Sequence, residues 1–317
     1  MDKTPKAPRS LLEAIRYFAD PDRCLTFMVE LRWPDGIICP RCGSKEVTFL
    51  ANARVWKCRG SHPSQKFSIK IGTIMEDSPI GIDKWLPAIW LITNAKNGIS
   101  SHELHRAIKV TQKTAWFMLH RIRLAMQNGS FDKLSGTVEA DETFIGGKAR
   151  NMHKDKRKVK GTGHVGKAIV MGLLDREAGH VRATVVPGTR KHTLQTEVEE
   201  NVEPGSEVFT DALASYDGLD AEYVHGVVDH AERYVDGRIH TNGLENFWAL
   251  LKRCIKGTYI NVQPFHLFRY LDEETFRYNA RKADDTGRFL TVLASIVGRR
   301  LTYKGLIGDA ALTPATA

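Results

Sequence analysis

The spacing of apolar residues predicts a series of short elements along the chain. Apolar positions three and four residues apart indicate amphipathic helices at residues 11–18 and around residues 22–31. Residues 46–56 are strand-like and predict two strands joined by a turn at Ala51-Asn52-Ala53. The chain shows no internal repeat of useful length, which argues against a repeat architecture.

A helical region follows, with a well-marked start for its second helix. An apolar helix is predicted over residues 82–95. Ser100 then occupies an N-cap position with Glu103 three residues later, which is the spacing of a capping box. The helix that begins there is short, to about residue 108, and a four-residue break leads into a longer helix.

The longer helix has one apolar face and one face that is polar and basic. We expect the second face to be exposed and to contact DNA through Lys113, Trp116, His120, Arg121 and Arg123. Two helices with a short break, the second basic on its exposed side, are typical of a helix-turn-helix. A small helical bundle gives a similar pattern, so both interpretations stay open.

Strands and helices alternate in the second half of the chain. Strands are predicted at 136–145, 167–174, 180–186, 207–210 and 223–228, and helices at 189–202 and from about 242. Three strands in a meander, a helix, a strand, another strand and a helix form the layout of the ribonuclease H-like α/β fold. We therefore predict a mixed sheet with helices packed beside it.

Charge and cysteine usage narrow the function classes. Lys and Arg number 46 against 37 Asp and Glu, a net charge of +9 that favours an anionic partner such as nucleic acid. The polar amino terminus predicts no signal peptide, and the longest apolar stretch, residues 85–93, is too short for a membrane span. Five cysteines, three of them crowded together, fit a reducing cytoplasm better than a disulfide framework.

The crowded cysteines have the spacing of metal ligands. Cys39 and Cys42, followed by Gly43, form a tight turn that lets two thiolates converge on one ion. Cys58 and His62 supply a second pair of ligands. Three thiolates and one imidazole are typical of a closed structural Zn²⁺ site. The alternative is a set of unpaired cytosolic thiols.

Three carboxylates fall at places that the predicted layout brings together. Asp141 lies within the first strand, Asp211 ends the fourth, and Glu245 lies on the helix beside them. A site of oxygen ligands suits Mg²⁺ or Mn²⁺ and can support in-line phosphoryl displacement. Taken singly, each acid also has a structural interpretation: Asp141 as a buried acid with a partner, Asp211 as a helix cap, and Glu245 as a capping-box partner of Asn242.

Residues 148–167 differ sharply in composition from the rest of the chain. They contain eight Lys or Arg, the first of them Lys148, one acid and three glycines. A solvated surface linker has this composition. So does a basic arm that closes on a phosphate backbone, and the sequence leaves both open.

Several runs resemble the bacterial insertion-sequence transposases of the DDE class that carry an amino-terminal zinc ribbon. The runs are His240-Thr-Asn-Gly-Leu-Glu-Asn-Phe-Trp-Ala-Leu-Leu-Lys-Arg253 with Gly257-Thr-Tyr259, Glu139-Ala-Asp141-Glu-Thr-Phe-Ile-Gly-Gly-Lys148, and Val208-Phe-Thr-Asp211. The resemblance extends over about residues 20–282 and includes Phe67-Ser68, Gly72-Thr73 and residues 269–281.

The resemblance implies that Asp141, Asp211 and Glu245 form a catalytic triad that binds Mg²⁺ or Mn²⁺. Asp211 and Glu245 are 34 residues apart, as expected for that class. Lys252 lies two helical turns beyond Glu245 and is expected to contact a phosphate near the cut. Because some members are described with Asn in the third position, Asn242 or Asn246 remains an alternative to Glu245.

The expected protein is a transposase that binds the terminal inverted repeats of its element, cleaves DNA and transfers the 3′ end. We expect double-stranded DNA as partner, a homodimer or higher oligomer on DNA, no membrane, and a bacterial cytoplasm near the nucleoid. A DNA-binding regulator without chemistry and a ribonuclease H-like nuclease or resolvase are the alternatives. The expected segments are a helical segment (1–35), a zinc ribbon (36–78), a helix-turn-helix (79–130), a ribonuclease H-like catalytic domain (131–285) and a helical tail (286–317).

Overall fold

The computed structural model describes residues 7–127, 132–147, 166–228, 240–260 and 262–308. The chain forms two compact units, Met1–Met126 with Lys282–Ala317 and Gln127–Arg281. Among the described residues no helix has the length and apolar character needed to cross a membrane. Lys148 and the basic residues after it, to 165, lie outside the described residues.

The helices and strands are named in chain order. The first part of the chain contains α1 (Leu11–Phe18), α2 (Pro21–Arg32), β1 (Val47–Leu50), β2 (Val55–Cys58), β3 (Lys66–Phe67), α3 (Ile82–Asn94), α4 (Ser101–Ile108) and α5 (Gln112–Met126). The middle part contains β4 (Thr137–Ile145), β5 (Ala168–Asp175), β6 (His180–Val186), α6 (Lys191–Asn201), β7 (Glu207–Asp211), β8 (Val224–Val228), α7 (Asn242–Cys254) and α8 (Leu267–Asn279). The last helices are α9 (Asp285–Ala294) and α10 (Tyr303–Ile307).

The first unit combines a small antiparallel sheet, in the order β1-β2-β3, with helices from both ends of the chain. The ring of Phe289 on α9 lies 5.7 Å from Phe18 and 6.3 Å from Phe27, and 5.1 Å from Trp90 on α3. Burying these rings together stabilises the packing of α9 against α1, α2 and α3. The segment expected as a helical tail therefore contributes to the core of this unit.

The α4–α5 pair begins as the sequence predicts. The Ser100 side chain accepts a hydrogen bond from the backbone of Glu103, and the Glu103 carboxylate accepts one from the backbone of Ser100, so the capping box is confirmed. Lys109 adopts a left-handed conformation that ends α4. α5 starts at Gln112, so the break has three residues rather than the four expected, because Gln112 already belongs to the helix.

The predicted exposure of the polar face of α5 is wrong for three residues. His120, Arg121 and Arg123 are buried, with exposed fractions of 0%, 5% and 1%. The Arg121 guanidinium donates hydrogen bonds to the carbonyls of Glu76 and Leu301, at 2.9 and 3.0 Å. The carboxy-terminal segment contacts Arg121, and the burial of all three side chains removes them from the surface that could contact DNA.

The second unit is a five-stranded mixed sheet in the order β6-β5-β4-β7-β8. β4, β5 and β6 pair antiparallel, and β7 and β8 are parallel to β4. α6 packs on one face through Leu194 and Val198, and α7 packs on the other through Leu244, Phe247 and Leu251. This is the ribonuclease H-like arrangement that the order of elements predicts.

The outer edge of this sheet is closed by a side chain of α8. The Asn279 amide accepts a hydrogen bond from the Val181 N–H at 2.8 Å and donates one to the Val181 carbonyl at 2.9 Å. The amide thus replaces a neighbouring strand at the edge of β6 and satisfies its backbone groups.

Candidate active site and zinc centre

Two neighbouring strands place Asp141 and Asp211 side by side. Glu139 in β4 pairs with Phe209 in β7, and Asp141 and Asp211 each follow two residues later on these parallel strands. Carboxylate oxygens of Asp141, Glu142 and Asp211 all lie within 4.8 Å of one another. The predicted meeting of the first two acids therefore has a structural basis.

Glu142 is a member of this cluster that the sequence analysis missed. Side chains alternate between the faces of a strand, which sets Glu142 opposite Asp141. However, β4 pairs with β7 only over residues 137–139. Beyond that point the two strands are no longer paired, and the carboxylates of Asp141 and Glu142, which start on opposite faces, both reach Asp211. The doublet Asp141-Glu142 in the sequence was the signal for a further acid.

The carboxylates of the cluster are held by hydrogen bonds and lie close to one another. Asp141 accepts bonds from the Trp248 indole N–H and from the Glu142 N–H, both at 2.8 Å. Burial nevertheless raises the pKa of Asp141 to about 6, and the charges of Asp211 and Glu245 add to this. Such a pocket favours the binding of a cation, which would remove the repulsion between the acids.

The Glu142 carboxylate shares that environment. It accepts a hydrogen bond from the hydroxyl of Tyr216, a buried side chain in the short helical turn after β7. Burial raises the pKa of Glu142 to about 7, and the charges of Asp211 and Asp141 act in the same direction. Glu142 is therefore both fixed in place and electrostatically part of the site.

One face of α7 overlies these acids. Glu245, Trp248 and Lys252 follow at intervals of three and four residues, which places them on one side of the helix. Trp248 bonds directly to Asp141. Glu245 is exposed, and its charge contributes to the raised pKa of Asp141. Burial lowers the pKa of the half-buried Lys252, and the charge of Asp141 opposes this change. The helix thus places Glu245 and Lys252 near enough for their charges to interact with Asp141, but Glu245 is not among the described carboxylates that lie within 4.8 Å of one another, which are those of Asp141, Glu142 and Asp211.

The start of α7 excludes the structural interpretation of Glu245 as a capping-box partner of Asn242. The N-cap is Thr241, whose carbonyl accepts a hydrogen bond from the Glu245 N–H at 3.0 Å. Asn242 is the first residue of the helix and is exposed. Glu245 and Asn242 therefore do not form a capping box, which requires the first of the pair at the N-cap.

Gly172 makes room for the indole that bonds Asp141. Gly172 in β5 lies directly opposite Asp141 in β4. A Cβ atom at this position would lie 2.7 Å from ring carbons of Trp248 and 2.9 Å from Leu244. No side chain larger than hydrogen fits there unless α7 moves.

We predict that Gly172→Ala lowers stability by about 1–3 kcal/mol, as overpacking of a close contact does. It should also displace Trp248 from Asp141. Gly188→Ala is the matched control, because a Cβ there meets nothing within 4 Å. Urea unfolding of both variants measures the effect. Equal stability of the two variants would show that the space over Gly172 is not tight.

The zinc ligands converge as predicted. One ligand atom from each of Cys39, Cys42, Cys58 and His62 lies within 4.8 Å of the others. The Cys39 Sγ is 3.5 Å from the His62 Nε2, and the Cys42 and Cys58 Sγ atoms are 3.6 Å apart. This three-sulfur, one-nitrogen set is that of a closed structural Zn²⁺ site, with no position left for chemistry.

Neighbouring groups orient these ligands. The His62 Nδ1 lies 2.9 Å from the Pro63 carbonyl, which leaves Nε2 directed at the thiols. Burial opposes ionisation of Cys39, but hydrogen bonds from the backbone N–H groups of Arg41 and Cys42 and from the Cys42 and Cys58 thiols together lower the Cys39 pKa to about 7. The thiolate form that binds zinc is thereby favoured.

Of the other predicted DNA contacts, Lys113 is exposed and Trp116 is half-buried. The Lys113 ammonium lies 4.7 Å above the ring of Tyr303 in α10, and the Trp116 ring meets His120 edge-on at 4.7 Å. These two residues of α5 are accessible at the surface and stay predicted DNA contacts. Lys148 lies outside the described residues.

The chain is similar to known transposase families and to proteins of mobile elements. An ISXO2-like transposase domain matches residues 133–279, and a transposase zinc-ribbon domain matches residues 19–60. An uncharacterized protein in transposable element ISH50 of Halobacterium salinarum is 26% identical over 255 residues, covering 76% of this chain and 85% of that protein. An uncharacterized transposase-like protein of Haemophilus influenzae is 34% identical over 100 residues, 31% of this chain and 80% of that protein.

One solved structure aligns with 54% of this chain and with 67% of its own matching chain. It is the cryoEM structure of simian T-cell lymphotropic virus intasome in complex with PP2A regulatory subunit B56 gamma. Its TM-score of 0.29 and identity of 14% are too low to support any conclusion. The family of the chain follows from the two family matches and the two relatives. The chain belongs to the insertion-sequence DDE transposases that have an amino-terminal zinc ribbon.

Proposed function

We propose that this transposase catalyses metal-dependent DNA cleavage at the ends of its element and joins the freed 3′ hydroxyl to target DNA. The observation that carries the proposal is the meeting of the Asp141, Glu142 and Asp211 carboxylates under the face of α7 that bears Glu245 and Lys252. The described residues there offer oxygen ligands and a lysine.

The carboxylates fit a divalent cation such as Mg²⁺ or Mn²⁺. Their ligand atoms are all oxygen. Burial, together with the charges of Asp211 and Glu245, raises the pKa of Asp141, and a bound cation would favour its ionised form. Asp141, Asp211 and Glu245 would hold the metal. When bound, it would lower the pKa of an attacking water and stabilise charge on the phosphate oxygens.

Lys252 would bind a phosphate of the DNA strand at the cut. Its side chain is half-buried on the Glu245 face of α7, and it is near enough to Asp141 for their charges to interact. A lysine ammonium acts as a point charge toward phosphate oxygens. It would orient the strand so that the scissile phosphate meets the acids.

Other DNA contacts would come from three parts of the chain. The zinc ribbon, the α4–α5 pair with Lys113 and Trp116, and the basic segment beginning at Lys148 are the candidates for binding the inverted repeats. The net charge of +9 supports a polyanionic partner. A dimer or higher oligomer would allow two element ends to be joined in one complex.

A cleavage and joining assay tests the proposed function. The substrate is a duplex that carries the inverted repeat bounding the gene, incubated with a target duplex in Mg²⁺, in Ca²⁺ or without metal. We expect nicks at the repeat end and joined products in Mg²⁺ only. Nicks without joined products would indicate a nuclease or resolvase, and bound but intact DNA would indicate a regulator without chemistry.

We predict that Glu142→Gln weakens Mn²⁺ binding by about 10-fold or more, since it removes a charge beside the metal ligands. Tyr216→Phe should have a smaller effect in the same direction, because it frees the Glu142 carboxylate but leaves its charge. Mn²⁺ affinity measured by electron paramagnetic resonance checks both. Wild-type affinity in Glu142→Gln would place Glu142 outside the metal site.

A further inference from the structure

A buried carboxylate lies directly beneath the start of α7. Glu139 is in β4, two residues before Asp141, and only 1% of it is exposed. One oxygen accepts the Leu244 N–H, near the beginning of α7, at 3.0 Å. A carboxylate at this end of a helix stabilises it through the free N–H groups and the helix dipole. Glu139 therefore anchors the helix that carries Glu245.

The other oxygen of Glu139 is paired with Arg176, in the turn after β5. The Arg176 Nε lies 2.7 Å from the Glu139 Oε1. The same guanidinium donates to the carbonyl of His240 and lies 2.7 Å from the His240 Nδ1, just before α7. It also lies 4.7 Å above the ring of Phe209 in β7. One side chain thus contacts β4, β7 and the residue that leads into α7, the three elements that carry the proposed catalytic acids.

The positions of these contacts follow a simple pattern. Glu139 precedes Asp141 by two residues on β4, and Phe209 precedes Asp211 by two residues on β7. His240 leads directly into α7 and Glu245. Arg176 therefore contacts each of the three elements near the acid that the element carries. Because the guanidinium is planar, it fixes the orientation of these elements as well as the distances between them.

Gly243 shows how tightly α7 is seated. A Cβ at this position would lie 2.6 Å from the Leu174 Cδ2 and 2.9 Å from the Glu139 Oε2. The first turn of α7 consequently lies against β5 and the Glu139 carboxylate without spare room. A shift of this turn would displace Glu245, which follows two residues later.

We infer that Arg176 and Glu139 are positioning residues that set the distance between the two aspartates and the third acid. The inference rests on the proposed function of the site. Neither residue needs to touch DNA or metal, because both oxygens of Glu139 and the guanidinium of Arg176 are engaged within the protein. Their loss should act on the chemical step rather than on DNA binding.

Arg176→Lys tests this, with Arg281→Lys as the matched control. Lysine keeps the charge opposite Glu139 but cannot reach His240 and Phe209 together. Arg281 binds the carbonyls of Gly179 and Tyr278 in the same unit. Neither of these residues belongs to β4, β7 or α7. We expect kcat for end cleavage in Arg176→Lys to fall by about 10–100-fold, as when groups that orient metal ligands are lost, with KM for the end duplex unchanged.

Gly243→Ala is the second variant, paired with Gly257→Ala. A Cβ at Gly257, just beyond α7, meets nothing within 4 Å. The inference predicts lower kcat and weaker Mn²⁺ binding in Gly243→Ala and neither change in Gly257→Ala. It is wrong if Arg176→Lys and Gly243→Ala cleave at the rate of their controls, or if kcat falls only in proportion to the unfolded fraction at the assay temperature. Cleavage by Asp141→Asn at the wild-type rate would instead reject the proposed function itself.

Discussion

Asp141→Asn should reduce DNA cleavage and joining by about 10³-fold or more, because a metal ligand contributes several kcal/mol to the stabilisation of the transition state. Asparagine has the shape of aspartate and can still accept the hydrogen bond from Trp248. It lacks the charge that the metal requires. The fold and the binding of element ends should therefore persist while the chemistry is lost.

Three measurements on the same preparation separate these effects. Single-turnover cleavage and joining report the chemistry, titration of the end duplex reports DNA binding, and thermal unfolding reports the fold. Asp220→Asn is a suitable control, since Asp220 is an exposed carboxylate of the same unit. If Asp141→Asn joins DNA at the rate of this control, Asp141 is not a catalytic residue.

Loss of one zinc ligand should unfold the ribbon. Zinc contributes about 10–16 kcal/mol to the folding of zinc-finger peptides, which matches or exceeds the whole stability of a typical domain of about 5–15 kcal/mol. Beyond the Cys39, Cys42, Cys58 and His62 centre, the ribbon has only three short strands and a few aromatic rings to bury. Cys42→Ala leaves three ligands and should lose the metal and the ordered strands together.

Zinc content by atomic absorption and protease cleavage within residues 36–67 measure this loss. Cys24→Ser serves as the control, because Cys24 is a buried residue of the same unit and lies outside the zinc centre. Its thiol donates a hydrogen bond to the Phe18 carbonyl. We expect one zinc per chain in wild type and control and none in Cys42→Ala. A zinc-free, protease-resistant Cys42→Ala protein would mean that the strands fold without the ion.

Local patterns predicted the elements well. The capping box of Ser100 and Glu103 depends on residues three apart, and the structure has it as expected. The strands of the mixed sheet follow from short apolar runs, and their order follows from the connections between them. The zinc ligands share one small ribbon, so their spacing is sufficient to identify them.

Contacts between distant segments could not be predicted in this way. The polar face of α5 has the pattern of an exposed surface, yet Arg121 is covered by the Leu301 segment, 180 residues away. Glu142 joins the acids because β7 pairs with only part of β4, which the alternation of a strand does not reveal. Arg176 lies in a turn with no distinguishing motif, and only the folded sheet brings it to His240.

Glu245 is the acid that most needs a direct test, because Asn242 precedes it by one helical turn and is also exposed. The most direct measurement is the joining of a pre-cleaved end, with its free 3′ hydroxyl, to target DNA in Mg²⁺ by Glu245→Gln and Asn242→Ala. If Asp141, Asp211 and Glu245 carry the reaction, Glu245→Gln binds the end but does not join it, and Asn242→Ala joins it. Joining by Glu245→Gln at the wild-type rate, with loss of joining in Asn242→Ala, would contradict this assignment.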